Sequence, residues 1–425
     1  MTRFTPDATL PMLNRRAAIA AGAGLALWPG TGATLNRNGL EQASQALKAF
    51  VDSGALPFAS IRVARNGETL LEAFHGGAGQ IAADSLFRIY SMTKPVAAAA
   101  VVLLCEEGRL SLETPVGDII PAFSRLTVAI DAAGNTEPAR PMTVAHLLTH
   151  SSGISNSWNG DAASAAYRAA GLDAGTWMFN PAIGGLDGFA DKIAAVPLRF
   201  QPGDGWLYGY SLDIAGLVVQ RVSGQSLGDY MKARLFDPLG MADTGFSAPA
   251  DSGARMTDLW TVRNGAATVV ERGATSASLR PPAAESGSAG LVSSLGDYGR
   301  FADMLACGGT LGGVTVMRPE SVALMTSIYG PQDKVAASLA RFAAIGLGGS
   351  GAGLGQALGG VTTLTDAAGR GSRGEYSWGG AASTTFWAAP DLGLSVVVMT
   401  QRLPSGSVPL RDTLRPLIYQ MLGQG

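Results

Sequence analysis

Segments with strand character stand at both ends of this chain and helical ones fill its middle, and that order constrains the fold more than any other feature. Apolar spacing from about Leu40 to Val51 suits a helix, and Pro57 to His75 predicts two strands around Asn66-Gly67, a strong hairpin turn signal. Val96 to Glu107 is apolar and Ala-rich, as in a helix buried on most of its surface. Helical patterns continue around Val144 to Leu148, Leu212 to Val222 and Leu227 to Phe236. After a helix at Leu295 to Leu305, the chain ends in strand-like Ser383 to Ala388 and Leu394 to Met399, joined by the turn Pro390-Asp391-Leu392-Gly393. One sheet completed by both chain ends, with the helical part packed beside it, buries all of these apolar faces. The expectation is therefore an α+β fold: an α/β domain from residues 34–90 and 285–425, a mainly helical domain from 91–284, and a cleft between them. The stretches Trp158 to Gly185 and Gly346 to Gly360 show no periodicity and are expected as loops near that cleft or as surface.

A chain of 425 residues has room for a substantial core. Charged residues make up only 15%, and the formal net charge is -2. No basic field exists to neutralise phosphates or hold an anionic lipid surface, which argues against nucleic acid as a partner. Cys105 and Cys307 lie far apart inside apolar helical patterns, which fits small buried side chains better than a disulfide or a metal knot.

Near the start, Arg15-Arg16 precedes the apolar run Ala17 to Trp28, then Pro29 and the small residues Thr31-Gly32-Ala33. This pattern predicts a signal peptide of twin-arginine character over residues 1–33 and a periplasmic or secreted location. The run is shorter than the about 20 residues a membrane-spanning helix needs, and no other segment approaches that length.

Chemistry enters at Ser91-Met92-Thr93-Lys94, a Ser-x-x-Lys element opening an apolar helix. A serine three residues before a lysine puts both side chains on one helix face. There a dehydrated amine can act as base toward the hydroxyl. Taken alone, the element is equally a helix-capping serine with a solvated lysine one turn on. Of Lys48, Lys94, Lys192, Lys232 and Lys334, however, only Lys94 has a serine in that position.

The wider segment Ser85-Leu86-Phe87-Arg88-Ile89-Tyr90-Ser91-Met92-Thr93-Lys94-Pro95 resembles the nucleophile segment of family VIII carboxylesterases and class C β-lactamases. The same group is matched, in order, by Leu110 to Val116, Thr143 to Gly153, Phe236-Asp237-Pro238-Leu239-Gly240-Met241, and Gly290-Leu291-Val292-Ser293 followed by Asp297-Tyr298. The resemblance covers most of the chain after the N-terminal segment and implies the β-lactamase/transpeptidase-like fold.

By the same resemblance, Pro202 to Tyr210 holds a catalytic tyrosine at Tyr208, with Asp213 to Gly216 continuing the segment. A phenol ordinarily titrates near 10, so a neighbouring ammonium is needed to favour its phenolate, and Lys94 is the candidate. Lactamases of this group carry Lys-Thr-Gly on the strand edging the site. The equivalent here is Trp378-Gly379-Gly380-Ala381, which looks like the Trp-Gly-Gly of the esterases. Paired glycines let a strand approach substrate closely, and the resemblance implies an oxyanion hole from the backbone N–H groups of Ser91 and Ala381. Trp378, Gly379, Gly380 and Tyr210 are expected at the substrate, with Tyr210 standing where lactamases have asparagine. Trp158, Trp177 and Phe179 are left open between pocket and core.

Two other signals are set aside. Gly224-Gln225-Ser226-Leu227-Gly228 matches a nucleophile elbow, but a helical pattern precedes it and all three histidines, His75, His146 and His150, come earlier than the triad order requires. Ser226 is expected instead to cap the next helix. His146 and His150 are four apart, yet Leu147 replaces the glutamate of His-Glu-x-x-His, so no metal is expected and His150 and Ser151 are expected to make structural hydrogen bonds. No cofactor is called for. The resulting expectation is a serine hydrolase acting on small carboxylic esters through an acyl-enzyme. A β-lactamase or D-amino-acid amidase of the same fold is the alternative, and a non-catalytic penicillin-binding-like protein a more distant one.

Overall fold

The Asn66-Gly67 pair turns the chain as expected: both residues have positive φ (51° and 79°), the conformation a two-residue hairpin needs. It joins β1 (Phe58–Arg65) to β2 (Glu68–Gly76). The computed structural model describes residues 37–422 apart from positions 132, 174, 250, 264–265, 331, 334–335, 340–341, 343–352 and 367–370. The segment expected to direct export lies outside the described residues.

Five further strands complete the sheet: β3 (Leu354–Ala357), β4 (Gly360–Thr363), β5 (Tyr376–Gly379), β6 (Thr385–Ala389) and β7 (Leu394–Met399). Their order is β3-β4-β5-β6-β7-β1-β2, all neighbours antiparallel. The N-terminal hairpin thus adds to a C-terminal meander, with Ile61 opposite Val398 and Val63 opposite Val396. Both faces are covered. Helix α1 (Arg37–Asp52) packs on β1, β2 and the C-terminal helix, whereas the helix Leu295–Ala306 packs on β1, β6 and β7. Strands buried on both faces lose the alternation of polar and apolar residues, which is why β7, Leu-Ser-Val-Val-Val-Met, is buried throughout.

Between the hairpin and the meander lies the helical part. Helix α2 (Thr93–Glu106) is buried from Thr93 to Leu104 and correspondingly apolar all round. It packs against α3 (Ser211–Ser223). The helix predicted at Leu227 to Phe236 is α-helical only to Met231 and turns π-helical over Lys232–Phe236, just before Pro238, which has no N–H to continue the ladder.

Two expected loops are corrected. Residues 346–352 of the Gly-rich stretch lie outside the described residues, but its later part forms β3 and the turn into β4. The glycines hide a strand that is specified by backbone pairing, Gly355 opposite Thr362, more than by side chains. Within Trp158 to Gly185 a short helix, Ala162–Ala169, starts at Asp161, whose carboxylate accepts from the Ser164 N–H at 2.8 Å. Cys105 and Cys307 are free. Among the described residues no helix is long and apolar enough to cross a membrane.

One ion pair clamps sheet to helix. Arg62 of β1 donates to both carboxylate oxygens of Asp303 at 3.0 and 2.7 Å, and Ser395 of β7 donates to Asp303 Oδ1. Its side chains are 9% and 2% exposed, so removing one partner strands a buried charge. Asp303→Ala is expected to lower stability by about 3–5 kcal/mol in urea denaturation. A loss below about 1 kcal/mol would show that the pair is not needed to hold the helix on the sheet.

Candidate active site

A short strand, Leu86–Arg88, pairs with Val292–Ser294 and delivers the chain to Ser91. Ile89 N–H continues the pairing to Leu291 O at 3.1 Å. Tyr90 then takes φ 44°, a left-handed conformation that costs a bulky residue about 1–3 kcal/mol and persists only where its surroundings impose it. The turn is tied down on both sides: Tyr298 Oη donates to Met92 O at 2.9 Å, and Leu291 N–H donates to Thr93 Oγ1 at 3.1 Å. Ser91 does not cap α2. The capping position falls on Met92, with no side-chain hydrogen bond, so the bland reading of the Ser-x-x-Lys element is excluded.

The Ser91 hydroxyl meets two donors instead. Tyr208 Oη donates to Ser91 Oγ at 2.6 Å, and Lys94 Nζ reaches the same oxygen at 3.4 Å. Lys94 is 2% exposed. Its ammonium donates to Ser288 O at 2.9 Å and lies 4.5 Å from the centroid of the Tyr208 ring. Ser91 and Lys94, three residues apart, and Tyr208, more than a hundred residues further on, therefore form one constellation.

Tyr208 is held from its backbone. Asn156 and Asn159 donate their side-chain amides to Tyr208 O at 2.7 and 3.0 Å, and Leu207 N–H donates to His150 O at 2.9 Å. The following Gly209 is a packing requirement, since a Cβ there would lie 2.4 Å from Ile154 O and 2.5 Å from Ser155 O. Around the phenol stand the rings of Phe342, His150, Trp378 and Trp206, with centroids 4.4, 4.8, 6.0 and 6.4 Å away. The result is an aromatic wall beside Ser91.

Strand β5 brings Trp378 to this wall, where the side chain expected at the substrate is only 1% exposed, covered by the Phe342 and Tyr208 rings. Gly380, next in the chain, runs against the nucleophile turn: a Cβ there would lie 2.4 Å from Ile89 O and 2.2 Å from Thr384 Oγ1. Among the described residues, neither the Ser91 N–H nor the Ala381 N–H has an acceptor.

Several expectations are corrected. Tyr210, expected at the substrate, is 2% exposed; its hydroxyl donates to Leu172 O at 2.8 Å and pairs with Ser157 Oγ at 2.8 Å, within a cluster of Tyr167, Trp177 and Phe189. It opens α3 and anchors it to the core. Trp177 likewise stacks on Phe189 in the core, whereas Trp158 is 52% exposed. His150 makes its structural hydrogen bond through the backbone, its carbonyl accepting from Leu207 N–H at 2.9 Å, while neither ring nitrogen has a partner among the described residues. Complete burial, and then the charge of Lys94, push its proton affinity well below the ordinary value and keep the imidazole neutral. Ser151 does bond, to Thr149 Oγ1 at 2.8 Å. His146 Nδ1 accepts from Thr143 N–H at 3.0 Å in a capping box, and Ser226 caps its helix through Asp229 N–H at 3.0 Å.

Two participants were not singled out from the sequence, Ser288 through its carbonyl and Phe342 through its ring, and neither is marked by a local motif. Asp213 of α3 was placed by the resemblance only as continuing the Tyr208 segment; its buried carboxylate accepts from Ser286 Oγ at 2.5 Å and Ser288 N–H at 3.1 Å. Only the fold brings the 286–288 turn to Lys94.

This geometry makes the phenol the direct hydrogen-bond partner of the nucleophile. Tyr208→Phe is expected to leave folding intact and to lower kcat/KM about 100- to 10,000-fold on any substrate the site turns over. Circular dichroism beside steady-state kinetics checks it; a drop under threefold would remove the phenol from proton transfer.

The Beta-lactamase family model matches residues 43–420 of this chain. Esterase EstB of Burkholderia gladioli is 33% identical over 386 residues, spanning 84% of this chain and 89% of that protein. Lovastatin esterase of Penicillium rubens is 31% identical over 319 residues, or 72% of this chain and 76% of that one. Among solved structures, EstCE1, described as a hydrolase with promiscuous acyltransferase activity, superposes with a TM-score of 0.74 at 22% identity, covering 90% of this chain and 99% of that one. The match over nearly the whole chain, with one sheet built from both chain ends and a serine, a lysine and a tyrosine meeting beside it, shows that the protein belongs to the Beta-lactamase family.

Proposed function

We propose that the protein is a serine carboxylesterase that works through an acyl-enzyme on Ser91. The observation that carries this reading is the 2.6 Å contact between Tyr208 Oη and Ser91 Oγ, with Lys94 Nζ against both the hydroxyl and the phenol ring. As Ser91 Oγ attacks the ester carbonyl, its proton passes to the Lys94–Tyr208 pair. The developing oxyanion is received by the Ser91 and Ala381 amides, and the pair returns the proton to the departing alkoxide. Water repeats the sequence on the acyl-enzyme and releases the acid. The close approach of Gly380 to Ile89 supports this arrangement, because it brings the chain that carries Ala381 against the turn that carries Ser91.

Esters are favoured over β-lactams by what stands on β5. A lactamase of this fold places a cation there to hold the β-lactam carboxylate, whereas this chain offers Trp378, Gly379 and Gly380, with Phe342 stacked 5.5 Å from Trp378. The wall suits an apolar acyl or alkoxy group. The esterase names of the two relatives point the same way.

A p-nitrophenyl ester of short chain length and a chromogenic cephalosporin, assayed side by side, should show the larger kcat/KM for the ester, and faster cephalosporin turnover reverses the order. An organophosphonate should label Ser91, located by mass spectrometry, and Ser91→Ala should abolish both labelling and turnover. An unlabelled Ser91 means an idle binding protein of the same fold. Activity should fall as pH drops, because protonation of the Lys94–Tyr208 pair removes the acceptor for the Ser91 proton. A flat profile from acid to alkaline pH excludes the pair as base.

We further propose that residues 1–33 direct export by the twin-arginine route. In a host carrying that route, replacing Arg15 and Arg16 by lysine should leave the enzyme in the cytoplasm. Equal periplasmic activity with and without the replacement sinks this reading.

A further inference from the structure

Burying an ammonium is costly unless opposite charge or strong acceptors are near. Lys94 has no carboxylate within ion-pair distance among the described residues. Its surroundings are the Ser91 hydroxyl, the face of the Tyr208 ring, the Ser288 carbonyl and the neutral imidazole of His150. One acid lies behind that carbonyl. Asp213, fully buried near the start of α3, accepts the Ser288 N–H at 3.1 Å, while the carbonyl of the same residue accepts from Lys94 at 2.9 Å. The Ser288 residue is thus polarised from both sides, a carboxylate at its N–H and an ammonium at its C=O.

We propose that Asp213 is a positioning residue that acts on Lys94 through Ser288: its carboxylate orients the 286–288 turn and balances the lysine's charge without touching substrate. This deepens the esterase reading and rests on it. Besides Lys94, Asp213 faces Ser286, Ser288 and the Tyr210 phenol. Burial raises its proton affinity, while the donors Ser286 and Ser288 and the charge of Lys94 oppose that rise. Asp213 Oδ2 has no hydrogen-bond partner among the described residues. One oxygen of Asp213 thus lacks the donors a merely structural acid usually collects.

The test compares wild type with Asp213→Asn, which keeps an acceptor for the Ser286 and Ser288 donors but deletes the charge. Loss of that charge disfavours the protonated state of the Lys94–Tyr208 pair. The acid limb of kcat/KM for a p-nitrophenyl ester should accordingly move to lower pH by about one unit, with KM within about twofold. The pH dependence of Ser91 phosphonylation should move alike. Ser286→Ala, which strips one donor from the carboxylate and makes it easier to neutralise, should move the limb the same way by less, and it serves if the asparagine variant does not fold. An acid limb that stays within about 0.2 units of wild type in the folded variants, with only a lower melting temperature, overturns the inference. Absence of Ser91 labelling in the wild type would instead overturn the esterase reading beneath it.

Discussion

The structure turns on a single buried ammonium. Lys94 is all but sealed from water, a position whose desolvation costs several kcal/mol unless the surrounding dipoles are already in place. Everything around it supplies those dipoles: the Ser91 hydroxyl, the π face of Tyr208, and the Ser288 carbonyl with Asp213 behind it.

Holding those partners in register is the work of the sheet and of the helix that follows the nucleophile. The strand before Ser91 is paired to the chain near residue 292, and β5 presses Gly380 against Ile89. The nucleophile turn is thereby gripped by segments from the C-terminal half. The left-handed Tyr90 persists because that grip leaves the turn no relaxed alternative. On the opposite flank, the carbonyl of Tyr208 is held by Asn156 and Asn159 and the preceding Leu207 N–H by His150 O, so the phenol's reach to Ser91 is set by a loop ahead of α3. The aromatic wall follows from the same packing. Rings clustered around the Tyr208 phenol lower the local dielectric and strengthen the electrostatic contacts made there.

Much of this was legible before any coordinates. The hairpin at Asn66-Gly67, the helix after Ser91 and the terminal pair around Pro390 to Gly393 were all readable, because turn chemistry and apolar spacing are local properties. The short helix at Ala162–Ala169 and strand β3 were not. Alanines and glycines carry little pattern, and these elements are specified by a cap and by a neighbouring strand respectively.

At the site, the sequence by itself determined which residue types were available: a serine and a lysine on one helical turn, a tyrosine in a glycine-flanked segment, and glycines in place of a cation on the edge of the site. It also determined that an alternative serine, Ser226, lacked a histidine in the required order. The resemblance already singled out Tyr208, but only the tertiary structure decided that Tyr210 leaves the substrate side altogether and buries its hydroxyl against Leu172 and Ser157 while Tyr208 meets Ser91. It alone turned His150 into a dry imidazole among aromatic rings and set Asp213 behind Lys94. Burial and through-space charge are sums over neighbours distant in the chain, and no local pattern of residues encodes them.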